Sequence, residues 1–317
     1  MIKEELEFYL KTSIYTNYLP YKDYYQSLPD DIEELSKLIY HQVIHRGELV
    51  RSYLNKPNPI RNEEKVDFYN EKDAYPWYRN RCDDDILLTA PAITAELFRQ
   101  DNRGFVMGRE IKDRIVITCR YVSVLLASIL KAKGIPSRCR SGYANYFCSQ
   151  KDCYYDHWIV QYYNSKSKRW VNVDADGLYQ VDFNQWDIPD EEFKYPAKIW
   201  LDVRKGIDSE KKYIHGTSLN KLSNLAYALF FDFHSLMNDE ISYLFFPVAI
   251  AEEKDFANLS NKELEKIDTL AKLMLNPDDN FDELRYLFRN DKWLRTINTP
   301  LLSKEDHLEL ETDKNDY

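Results

Sequence analysis

The stretch ITCRYVSVLLASILKAKGIPSRCRSGYA, Ile117 to Ala144, decides how this chain is read. A long apolar run begins after Cys119 and closes on Gly134-Ile135-Pro136. Glycine at the end of such a run, with proline just beyond, is the expected order of a helix C-terminus, so a helix is predicted over 119–133. Cys119 then opens that helix. Three roles are available to it: buried filler, metal ligand or nucleophile. Its position favours the nucleophile, because unpaired N–H groups and the positive dipole end at a helix start stabilise a thiolate and can bind an oxyanion. Arg120 is adjacent, and residues 109–140 carry eight Lys or Arg against two acids. That local charge favours a thiolate, although a solvated helix face would produce the same excess.

A thiolate needs a base. Ser137–Ala144, Tyr154–Tyr163 and Lys168–Ala175 are rich in Val, Ile, Tyr and Trp and are predicted as strands. Of the six His, only His157 falls inside a predicted strand. With Asn164–Ser167 as a four-residue hairpin loop, Tyr163 pairs with Lys168 and Val160 with Val171. Trp158 then faces Val173, and on the other face His157 lies opposite Asp174. Opposed residues have Cβ atoms ~5 Å apart, so the imidazole can reach the carboxylate. A cross-strand polar pair on a solvated face has the same pattern. Joined to Cys119, however, the pair supplies nucleophile, base and orienter.

TCRYVSVLLASILKAKGIPSRCRSGYA, then DHWIVQYYN, then RWVNVDAD resembles the transglutaminase-like superfamily, a variant of the papain-like fold. The resemblance implies a catalytic triad of Cys119, His157 and Asp174. Thr118 departs from it, standing where many relatives carry a small residue before the cysteine. YANYFCSQKDCYYDHWIVQYY and LAYALFFDFHSLMNDEISYL are similar to a bacterial subgroup with a helical C-terminal extension. By its place upstream of the cysteine, Trp77 is the candidate for the indole that binds the oxyanion in transglutaminases; a core aromatic is the alternative. Asp232 and Glu240, eight residues apart on one helical face, are acids that would border the cleft or simply be solvated.

The rest of the chain sets the frame. Segment 31–54 has apolar residues near helical spacing; 83–104 is helical with a break near Pro91; and 218–238, 262–276 and 280–291 are helical again. Helices, then an antiparallel sheet, then helices, indicate an α+β fold: a papain/transglutaminase-like core with its nucleophile helix packed on the sheet, and a helical C-terminal region. The expected division is an N-terminal segment 1–30, a catalytic core 31–205, a helical extension 206–302 and an acidic tail 303–317.

A net charge of −10 and the absence of a basic-aromatic stripe argue against nucleic acid. No long apolar run marks a membrane span or a secretory leader, and five scattered Cys suit a reducing compartment, so a cytoplasmic protein is expected. His41, His45 and Glu48 share one predicted helical face at a spacing that can bind metal, but the apolar pattern explains that helix without one. Neither a metal nor a cofactor is expected. The activity implied is thiol-based acyl transfer on a peptide or small amide, ending in hydrolysis or in transfer to an amine; a non-catalytic binding or scaffold protein is the alternative.

Overall fold

The computed structural model describes residues 2–53, 75, 76, 79, 83, 86–146, 148, 152–179, 181–215, 221–245, 247–250 and 256–296. In chain order the elements used here are α1 (Ile2–Leu10), α2 (Lys22–Ser27), α3 (Ile32–Tyr40), β1 (Val43–His45), α4 (Arg46–Tyr53) and α5 (Ala90–Gln100). They continue with β2 (Ile115–Ile117), α6 (Cys119–Ala132), β3 (Ser137–Ala144), β4 (Tyr154–Asn164), β5 (Arg169–Val173) and β6 (Phe193–Lys194). Last come α7 (Pro196–Arg204), β7 (Tyr213–Ile214), α8 (Leu222–Leu236), α9 (Asn261–Met274) and α10 (Phe281–Asn290). The fold is α+β.

The helix at the centre is the one the opening stretch predicts. Every residue of α6 is buried, Arg120 and Lys131 included. Its end is a Schellman motif: Gly134, at φ +75°, donates its N–H to the Lys131 carbonyl at 3.0 Å, and Ile135 donates to Leu130 at 2.9 Å. Each fully buried Val, Leu or Ile of this helix contributes on the order of 1.5–3 kcal/mol of hydrophobic stabilisation.

The sheet runs β5-β4-β3-β6, with β7 pairing in parallel with β4. β3 is buried along its whole length because both α6 and α8 pack on it. Gly142 of β3 stands opposite His157. A Cβ there would lie 2.6 Å from the Lys194 carbonyl oxygen, so only glycine lets β6 come this close.

Three sequence expectations need correction. The helix expected over 31–54 is two helices split by a strand: α3 stops at Tyr40, and Val43-Ile44-His45 pair in parallel with Ile115-Val116-Ile117. The β-branched Val43 and Ile44 are buried in that pairing, so tertiary contact overrides the helical period. Pro91 begins a helix rather than breaking one. α5 opens at Ala90 with Thr89 accepting the Ala92 N–H, and a proline in the first turn forfeits an N–H that has no intrahelical partner anyway.

The hairpin register also differs. Asn164 pairs with Arg169 and Val160 with Val173, a shift of two residues from the expected ladder. The loop is still four residues long but occupies 165–168, because Asn164 accepts the N–H groups of Lys166 and Ser167 and Lys168 takes a left-handed φ of +53°. A two-residue shift keeps every side chain on its expected face. His157 and Asp174 therefore remain on one face, as diagonal rather than direct neighbours.

Candidate active site

Residue 119 reaches its place through the parallel β1–β2 pair. β2 runs into Thr118 and then into α6, so the cysteine sits at the junction of strand and helix. Thr118 provides no side-chain cap, which leaves the first-turn N–H groups of α6 to other acceptors. The Cys119 sulfur lies 3.8 Å from the Tyr243 hydroxyl, and the backbone N–H of Trp158 is near enough to favour its thiolate form. That N–H belongs to the residue after His157, which ties the thiol to β4.

His157 and Asp174 meet closely. Nε2 of His157 is 2.7 Å from Oδ2 of Asp174, and the two side chains are 3% and 0% exposed. The same carboxylate oxygen accepts the Tyr146 hydroxyl at 2.7 Å, and the other oxygen accepts the Asp176 N–H at 2.9 Å. Three donors fix the carboxylate, and the carboxylate fixes the ring. With Nε2 on Asp174, Nδ1 is the ring atom that can serve a thiol. Burial, and after it the Asp174 charge, push the Tyr146 phenol well above its ordinary range, so it stays a donor.

The electrostatics at the sulfur differ from the expectation. Burial, then the charges of Asp176 and Asp156, push the Cys119 thiol well above its ordinary range; Tyr243 and the Trp158 N–H pull it only part of the way back. The resting group is a thiol. Arg120 does not help, because its guanidinium donates to the carbonyls of Ile241 and Glu240 and packs over Tyr15 and Tyr121. Other cations of 109–140 are likewise spent on structure. Arg109 bonds Gln42 and the Leu97 and Gly104 carbonyls, Arg140 holds Asp232, and Lys131 donates to Lys11 O and Asn238.

Two further predicted residues, Asp232 and Glu240, are tied into buried polar contacts. Asp232 is fully buried and held by Arg140 through bonds of 2.7 and 2.9 Å, with the Ser141 N–H as a third donor at 3.1 Å. Glu240 does not share a helical face with it, since α8 ends at Leu236 and Asn238 turns the chain at φ +55°. Its carboxylate is buried and accepts the Ser13 hydroxyl. Neither acid is solvated. Trp77 lies outside the described residues.

His45, expected on a helix beside His41, ends β1 instead, level with Ile117 in the β1–β2 register. A His45 ring nitrogen, the Cys119 sulfur and an Asp176 carboxylate oxygen all lie within 4.8 Å of one another. Sulfur, nitrogen and oxygen donors at this spacing form a set that a zinc-like ion can use. Glu48 is not part of it: buried, it accepts the His45 N–H at 3.4 Å at the start of α4. Sequence reasoning weighed His45 only as a metal ligand on a helix, and it missed Asp176, Tyr146 and Tyr243. Asp176 alone carried a signal, two residues after Asp174 in VDADG.

Residues 115–175 match the family model of the transglutaminase-like superfamily core. That segment is transglutaminase-like. It holds β2, α6, β3, β4 and β5, and with them Cys119, His157 and Asp174. No curated protein matches the sequence. Among solved structures, "a Putative Cysteine Protease from Cytophaga hutchinsonii" is similar at 14% identity over 59% of this chain and 44% of that one, with a TM-score of 0.31, a likeness too loose to build on. Among the described residues, no helix is long and apolar enough to cross a membrane.

Proposed function

We propose that the protein is a thiol enzyme that attacks an amide or ester carbonyl through Cys119, with His157 as base and Asp174 as orienter. The observation that carries this reading is the buried 2.7 Å His157–Asp174 contact, on the strand whose next residue, Trp158, lies near Cys119.

Because the resting group is a thiol, activation is coupled to attack. His157 takes the Cys119 proton as the sulfur bonds to the carbonyl carbon, and later gives it to the leaving amine or alcohol. Asp174 holds the ring's tautomer and stabilises the imidazolium. Water then completes hydrolysis, or an amine completes transfer, and hydrolysis is the simpler outcome. The substrate class is a peptide or small amide.

The 5% exposure of Cys119 and its high-lying thiol favour a second reading, a binding protein built on the same fold. Reaction with p-nitrophenyl acetate separates the two. The enzyme reading expects a burst of about one equivalent of p-nitrophenolate and an acetyl group on Cys119, both lost in Cys119→Ala. A burst equal in wild type and Cys119→Ala, or none in either, supports the binding protein.

A further inference from the structure

His45 has no place in the chemistry above, yet its ring stands at the Cys119 sulfur. Its Nδ1 accepts the Gly47 N–H at 3.0 Å, so the side chain caps the first turn of α4. A nitrogen that accepts must present its lone pair, and the proton of the neutral ring is therefore on Nε2. Nε2 is the atom turned to Asp176, at 3.6 Å. At that distance the carboxylate acts on the N–H by charge attraction.

We propose that His45 donates its Nε2–H to the oxyanion formed when Cys119 attacks, completing with the Cys119 backbone N–H the hole for the tetrahedral intermediate. This rests on the thiol-enzyme reading and deepens it. The spacing fits. An oxyanion ~2.7 Å from the attacking sulfur and ~2.9 Å from its donor sets sulfur and donor about 4.5–5 Å apart, and the ring, sulfur and Asp176 lie within 4.8 Å of one another. Register fits as well: His45 is level with Ile117, so ring and thiol lie at the same end of the β1–β2 pair. The His45 side chain is 20% exposed, so an incoming carbonyl can reach it.

Two other roles fit less well. A metal would need the lone pair of Nε2, and the α4 cap leaves a proton there. A base would need that same lone pair. A neutral imidazole at a helix start that acts only as a donor has neither difficulty. Asp176 is the positioning residue, drawing the N–H toward the sulfur.

The test compares two reactions of the same thiol. Acylation by p-nitrophenyl acetate passes through an oxyanion: the sulfur bonds to the carbonyl carbon, p-nitrophenolate leaves with the bonding pair, and the thiol proton goes to His157. Alkylation by iodoacetamide displaces iodide and forms no oxyanion. His45→Ala is expected to slow acylation about 10²–10³-fold with alkylation unchanged. His45→Gln, which restores an N–H donor without a base, is expected to recover most of the loss with an unshifted pH profile. Acylation unchanged in His45→Ala, both reactions slowed alike, or no recovery in His45→Gln when circular dichroism shows it folded, overturns the assignment. A wild type with no Cys119-dependent acylation overturns the thiol-enzyme reading itself.

Discussion

Two His–Asp pairs enter the proposed chemistry of Cys119, and they are built differently. His157–Asp174 is buried, 2.7 Å long, and its carboxylate is held by Tyr146 and the Asp176 N–H besides the ring. His45–Asp176 is 3.6 Å long, and its ring is partly open to solvent and tied to a helix start. The first joins β4, inside the antiparallel sheet, to the residue that follows β5. The second comes from the last residue of a three-residue strand. The residue types are the same, but the mounts assign different work. A saturated pair can accept and return a proton without moving, whereas a loose one can present an N–H to a group that appears only during reaction.

The comparison can be broken at several points. His157→Ala is expected to lower Cys119 acylation about 10²–10⁴-fold, measured by stopped-flow release of p-nitrophenolate, because it removes the base. A loss no greater than that of His45→Ala would erase the division of labour.

The principle that saturated buried pairs are structural commitments can be checked at Arg140–Asp232. Arg140→Ala strands a carboxylate that is 0% exposed, and urea unfolding is expected to show a loss of about 3–5 kcal/mol.

Asp176→Asn sharpens the second pair. Its charge holds the thiol up, so removing it lowers the Cys119 pKa, and iodoacetamide alkylation at pH 7.5 is expected to run several-fold faster. A slower reaction would mean that Asp176 supports the thiolate instead.

The smallest effect lies away from the site. Burial, and then Asp278 beside it, push Glu5 up to about 8 from an ordinary 4.5. A carboxyl raised on folding adds stability that is complete below its unfolded value and is lost as pH rises through the folded one. Melting temperature should therefore decline between about pH 4.5 and pH 8, and Glu5→Gln should flatten that decline. An unchanged pH dependence would count against a protonated Glu5.

Much of this was legible in the sequence because it depends on local chemistry. The Gly134–Pro136 stop marks the end of α6, and the alternation around Trp158 and Val160 sets the faces of β4. Face survives a two-residue register shift, so His157 and Asp174 could be joined even though the loop was misplaced by one residue. What was not legible depends on distant partners. Val43–His45 becomes a strand only because β2 lies beside it, and nothing within 31–54 announces that. The cationic bias around Arg120 also pointed the wrong way: net charge along a segment does not show which carbonyls and carboxylates each guanidinium meets in the fold. His45, the residue most affected by the first error, was placed on a helix face and weighed there only as a metal ligand, a role the apolar pattern made unnecessary.

The central claim is that His157 works on the thiol proton and His45 does not. The direct measurement is the rate of Cys119 alkylation by iodoacetamide at pH 7.5 in wild type, His157→Ala and His45→Ala, read by intact mass. The account predicts at least about a tenfold fall in His157→Ala and a rate in His45→Ala equal to wild type. A fall in His45→Ala with His157→Ala unchanged would contradict it.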